Sequence, residues 1–148
     1  MDTTDANRDS RLPPPLLDAW RATRYEVTGA APPFALTVDA PSAELAACHL
    51  AYGVGCSAFI TAWNPGARPA AADANARAGA ALEAALHARG YRFLAGRSVD
   101  PTGRWPAEVS VLALGLGRAE ASAIALAFGQ AGLVYAGADA VPRLVPLA

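Results

Sequence analysis

Phe59-Ile60-Thr61-Ala62-Trp63-Asn64-Pro65 is an apolar run that turns polar and then meets a proline. From Cys56 to Ala62 apolar residues fall on both faces, which predicts a strand buried on both sides and central in its sheet. Polar groups at the end of such a strand, beside a Pro-terminated turn, are where many α/β proteins place a ligand. The stretch therefore fixes two expectations at once: a sheet covered on both sides, and a site at the Asn64 end.

Working outward, Pro41-Ser42-Ala43-Glu44 has the marks of a helix start, with Ser42 as cap and an early acid. That helix runs to Ala51 or Tyr52 and stops at Gly53. On the other side a long helix is predicted from Asp73 to Arg89, ended by Gly90. Tyr25 to Thr28 and Phe34 to Val38 alternate and form a hairpin. Tyr91 to Ser98 and Val109 to Gly115 are further strands, joined by a turn at Asp100-Pro-Thr-Gly103. Gly117 to Phe128 is a helix closed by Gly129, Leu133 to Ala136 is a strand, and Arg143 to Pro146 adds a short edge. Leu16 to Thr23 reads as a short first helix, after a disordered N-terminal tail over residues 1–15 that ends in a stiff Pro13-Pro14-Pro15. The expectation is one globular domain over 16–148: an α/β (α+β-like) fold with a mixed sheet of five to seven strands and helices packed on it.

The 148 residues carry a formal net charge of −1, which gives no general attraction to nucleic acid or to an anionic membrane. All twelve basic residues are arginines, which excludes a Schiff-base lysine and a Walker A phosphate loop. Cys48 and Cys56 show no metal or redox spacing and read as free thiols. The opening residues lack the pattern of a signal peptide, and the Ala-rich run near residues 70–88 is interrupted by charges, so a cytoplasmic protein without a membrane span is expected. His49 and His87 lie away from the polar clusters, so neither a catalytic histidine nor a metal site is indicated.

Three clusters carry the chemistry. Asn75 shares a helical face with Ala78, Leu82 and Leu86, so its amide points inward and needs a partner, either the Asn64 turn or a ligand. Helix starts attract anions, which makes a phosphate or carboxylate near Asp73 to Asn75 the sharper version. Glu108 stands just before a strand that looks buried, and is the best candidate for a general base or metal-binding carboxylate, against an ion pair with Arg97 or Arg104. Gln130 lies between a helix stop and a strand, where its amide meets backbone or a pocket. Gly115-Leu-Gly117 fails as a dinucleotide fingerprint, because its third small residue would be Glu120.

Taken together, Ile60-Thr-Ala-Trp-Asn-Pro65, Asn75, Asp100 through Trp105 to Glu108 and Ser110, and Phe128-Gly-Gln130 resemble the signature of the bacterial domain of unknown function 3293 family. Trp20, Thr23 and Tyr25 resemble that family's opening motif. The similarity spans residues 16 to 145. It implies which positions matter and brings no activity with it. One departure is visible: the family continues Phe-Gly-Gln with Asn-Ala, where this chain has Ala131-Gly132.

Two functional readings follow. In the first, Thr61, Asn64, Asn75, Glu108 and Gln130, with Trp63 and Trp105, bind a small polar ligand, anionic or nucleotide-like. If the site is catalytic, Glu108 is the base and the reaction is hydrolysis or group transfer. In the second, the same groups are a buried hydrogen-bond network in a structural or protein-interaction module. The cofactor and the oligomeric state are left open.

Overall fold

The computed structural model describes residues 12–147. Among these residues the four α-helices are α1 (Pro14–Ala22), α2 (Ala43–Tyr52), α3 (Ala72–Ala88) and α4 (Arg118–Ala127). Its seven strands are β1 (Arg24–Val27), β2 (Phe34–Leu36), β3 (Ser57–Ile60), β4 (Phe93–Val99), β5 (Glu108–Leu114), β6 (Gly132–Ala136) and β7 (Arg143–Pro146). They form one sheet in the order β2-β1-β4-β5-β3-β6-β7. The chain is thus a single α/β domain, with β3 at the heart of its second half.

Every pairing is antiparallel, which corrects the expectation of a mixed sheet. The reason lies in the helical crossovers. The one through α3 joins β3 to β4, and the one through α4 joins β5 to β6. Each skips a strand: β5 lies between β3 and β4, and β3 lies between β5 and β6. Strands that run the same way are therefore never neighbours. The unit from β3 to β6 is the split βαβ arrangement of ferredoxin-like domains.

Alternation along β3 explains why Ala58, Phe59 and Ile60 are all apolar. Ala58 and Ile60 join one core with Leu82 and Leu86 of α3 and Ile124 and Ala125 of α4. Phe59 joins the opposite core, with Tyr25, Leu112, Val134 and Leu45 of α2. Both faces of the sheet are covered, so an antiparallel strand needs no polar side here.

Local signals account for most helix ends. The Ser42 hydroxyl caps α2 by accepting from Leu45 N at 3.0 Å, and Gly53 ends it in the left-handed conformation. Helix α3 starts at Ala72 without a side-chain cap; Asp73 lies inside the first turn, where Oδ1 accepts from Ala74 N. At the N-terminus, Pro14 and Pro15 belong to α1 itself, because proline suits the first helical turn, where its missing N–H is not needed. The stiff lead-in expected there is the start of a helix, and residues 1–11 of the expected tail lie outside the described residues.

On the α2 side, His49 is buried and its Nε2 lies 2.7 Å from the Ser57 hydroxyl of β3. Burial lowers the pKa of this imidazole, so the folded chain takes up a proton less readily than the unfolded one. Stability contributed by the neutral ring is full above the ordinary histidine range and declines as pH falls through it towards the lower folded pKa. The urea midpoint is expected to drop between roughly pH 7 and pH 5, and His49→Gln is expected to flatten that step. An unchanged slope in the variant would assign the pH dependence elsewhere.

Candidate functional site

Asn64 follows β3 in a left-handed conformation, φ 50° and ψ 61°. Asparagine tolerates this region better than most residues, and here its own side chain holds the turn. Asn64 Oδ1 accepts from Ala70 N and from Asn75 Nδ2, both at 2.9 Å. Asn75 Oδ1 in return accepts from Asn64 N at 2.9 Å. Asn75 is buried on the inward face of α3, as the helical spacing requires.

The remaining arm reaches the neighbouring strand. Asn64 Nδ2 donates to Glu108 Oε2 at 2.7 Å. Glu108 is the first residue of β5 and is partly buried. No basic side chain lies within ion-pair distance of it among the described residues. Arg97 pairs with Glu26 instead, which removes one of the ion pairs weighed for Glu108. Burial raises the Glu108 pKa above the ordinary carboxylate value, and the Asn64 hydrogen bond offsets part of that rise. The Glu108 charge in turn adds to the strong upward shift of the Tyr25 phenol, which burial dominates.

Other elements close on the same turn. Thr61 Oγ1 donates to Val109 O at 2.8 Å and accepts from Trp63 N at 3.0 Å, pinning the end of β3 to β5. Gln130 Nε2 donates to Trp63 O at 3.0 Å. Gly66 N donates to Gly129 O at 2.8 Å, and a Cβ on Gly129 would sit 2.9 Å from Pro65 Cβ. The turn after α4 therefore docks directly on the Asn64-Pro65 turn, and glycine supplies both its positive φ and the space.

The Trp20 to Tyr25 segment arrives from the opposite face. The Tyr25 hydroxyl donates to Trp20 O at 2.6 Å, and Thr23 Oγ1 donates to Ala19 O. A Cβ at position 132 would lie 2.7 Å from the Trp20 ring, so glycine there makes room for the indole against β6.

Asn64, Asn75 and Glu108 are thus joined by hydrogen bonds, while Thr61 and Gln130 hold the backbone of the adjoining Trp63. Trp105 is not part of this cluster. It lies on the β4–β5 loop with 63% of its surface exposed. Its N–H donates to Asp100, whose carboxylate also accepts from Thr102 and Arg104 N. Asp100 is a turn residue, and these donors hold its pKa below the usual value.

Beside the cluster runs a groove of about 310 Å³, lined by Trp63, Ala76, Gly79, Glu83, Val109 and Ser110 among others. Gly79 lets α3 approach Trp63: a Cβ there would meet the indole Nε1 at 3.4 Å. Of the ligand-binding and catalytic candidates read from the sequence, Trp63 alone lines this groove. Sequence patterns missed Val109, which follows an acid in a predicted buried strand yet is half exposed.

Among the described residues no group of three or more histidine, cysteine or acidic side chains could hold a metal ion. No helix there is long and apolar enough to cross a membrane. Neither curated proteins nor solved structures give a match to the chain. A family model described as a protein of unknown function, DUF3293, matches residues 60–133, which span the whole Asn64–Asn75–Glu108 cluster and Gln130.

Proposed function

Starting from the premise that the chain belongs to the DUF3293 family, we propose that the Asn64–Asn75–Glu108 cluster is a binding site for a small polar ligand. The observation that carries this reading is Glu108. A partly buried carboxylate without a cation costs stability, and a glutamine would accept the same hydrogen bond from Asn64 without that cost. Keeping an ionisable group there favours a partner that arrives from outside. Glu108 Oε1 has no hydrogen-bond partner among the described residues. The ligand therefore offers a donor or a positive charge to Oε1, with a flat or apolar part against Trp63. An anionic group is the weaker version, since Asp73 already occupies the first turn of α3. If the site is catalytic, Glu108 is the group that takes up a proton, because its raised pKa suits a base better than an ordinary carboxylate's would.

A second reading has its own support. No buried side-chain nitrogen or oxygen lacks a hydrogen-bond partner among the described residues, so the network is closed enough to serve structure alone.

A thermal-shift screen separates the two, with nucleosides, nucleotides, sugar phosphates, small amines and divalent metals as probes. A probe at a hundred times its Kd stabilises a folded chain by about 2.7 kcal/mol. The ligand reading expects such a shift on wild type, lost in both Glu108→Gln and Asn64→Ala. Silence from every probe, with Asn64→Ala strongly destabilised, would leave the structural module.

Glu108→Gln carries its own prediction. Because the folded pKa of Glu108 is raised, the folded chain holds this proton more tightly than the unfolded one. Stability present in the acid range is lost as pH rises through the folded pKa. The Gln variant is expected to melt above wild type at pH 7 and to converge with it near pH 4. A variant that melts lower at both pH values would contradict the assignment.

A further inference from the structure

At the opposite end of the sheet, where β3 begins and β6 ends, lies a cleft of about 510 Å³ between the start of α4 and the β6–β7 connection. Its lining includes Arg118, Tyr135, Gly137, Asp139, Arg143 and Leu144. We propose that this cleft is a second small-molecule site, for an organic anion with an apolar body.

The charges are divided unequally. Asp139 is committed to Arg143, with Oδ2 accepting from Nη2 at 2.8 Å and Oδ1 from Nη1 at 3.2 Å. Oδ1 also accepts from Val141 N at 3.1 Å, so the carboxylate is engaged from two sides. Arg143 feels Asp39 as a further, weaker negative neighbour. Arg118 is different: no carboxylate lies within ion-pair distance of it, and it makes no hydrogen bond among the described residues. It stands at the first residue of α4, where a cation meets the positive end of the helix and gains nothing from it. Glu120, the acid of that first turn, instead accepts from the Tyr91 hydroxyl. Among the described residues the guanidinium of Arg118 is thus a cation on the cleft rim with no carboxylate or hydrogen-bond partner.

The rest of the lining matches an organic anion. Burial raises the Tyr135 pKa, the nearby Cys56 raises it further and Arg118 offsets part of the rise, so the phenol stays protonated. A protonated phenol is a donor. Gly137 does not have a positive φ, so its backbone does not demand glycine. A Cβ there would sit 3.8 Å from the Tyr135 hydroxyl, in ordinary contact, and that hydroxyl at the cleft wall is shared with the Cys56 thiol. Leu144, Val145 and the Tyr135 ring supply apolar wall. The volume falls in the range of small-ligand sites.

Phenyl phosphate, benzoate and benzylamine are suitable probes, titrated into the 15N-labelled full chain and followed by amide shifts. Phenyl phosphate or benzoate is expected to move the Arg118, Tyr135, Gly137 and Arg143 amides to saturation, and the difference between them tells phosphate from carboxylate. Benzylamine is expected to leave these amides in place. Arg118→Ala is expected to weaken binding about tenfold or more, the worth of one charged contact, with Arg118→Lys recovering part of the loss. Arg118 is exposed, so the variant is expected to keep the wild-type amide pattern outside the cleft. Equal response to the amine and the anions, no response to either anion, or undiminished binding by Arg118→Ala would overturn the proposal.

Discussion

Asn64→Ala is expected to lower the free energy of unfolding by about 3 kcal/mol, a large share of what a domain of this size has. The change strips Oδ1 from the Ala70 N–H and from Asn75, and strips the Nδ2 donor from Glu108. The Ala70 amide recovers water, but Asn75 is buried and keeps an amide hydrogen without its acceptor. Alanine also has to hold the left-handed φ of 50°, which costs an L-residue about 1–2 kcal/mol. Urea unfolding measures the sum, and a companion variant divides it. Asn64→Gly removes the same side chain while accepting the backbone, so it should fall short of the alanine loss by about 1 kcal/mol. If both variants lie within about 0.5 kcal/mol of wild type, the ordinary range for an inert surface change, the turn is not held by this amide.

The second large effect sits in the sheet beneath the site. Gly96 of β4 lies under the Phe59 ring: a Cβ would come within 2.8 Å of Phe59 Cε2 and equally close to Glu26 O. Phe59 cannot simply swing away, because it packs edge-on against Tyr25 with ring centroids 5.3 Å apart. Gly96→Val is expected to cost about 3 kcal/mol, at the upper end for overpacking a well-filled core. Part of this loss comes from the ring and part from the Glu26 carbonyl. A double-mutant cycle with Phe59→Leu isolates the ring share: the pair should be less damaging than the sum of its members, by roughly 1 kcal/mol. Strict additivity would place the whole clash on the backbone.

Much of the architecture was legible because local chemistry and tertiary packing agree. The Ser42 cap, the glycine stops after α2 and α3 and the alternation of the first hairpin each act within a few residues. The inward placement of Asn75 was equally readable, since helical period alone puts it beside Leu82 and Leu86. What escaped was long-range. Strand order depends on which strand slips between two others, and nothing within β3 says that β5 lies beside it and β4 one place further. The ion pair weighed for Glu108 failed for the same reason: Arg97 is close along the hairpin, yet its side chain meets Glu26 across a different pair of strands. His49 was passed over as a mid-helix residue, because its partner Ser57 is fixed by the packing of α2 on the sheet. Trp105 looked like part of the site from its position in sequence, but the Asp100 turn leaves it exposed on its loop.

The skipped-strand arrangement also shapes how the chain reaches this state on the ribosome. Strand β3 leaves the tunnel with its apolar residues ready, but Ile60 waits for Val111 and Phe59 for both Leu112 and Val134. Until β5 and β6 have been synthesised, this strand, buried on both faces in the finished fold, has two unpaired edges, at a synthesis rate of about 5–20 residues per second. Helix α3, rich in alanine, emerges directly afterwards and can form early, laying Leu82 and Leu86 over Ala58 and Ile60. The sequence most prone to stick to other chains is thus followed at once by the element able to shield one of its faces.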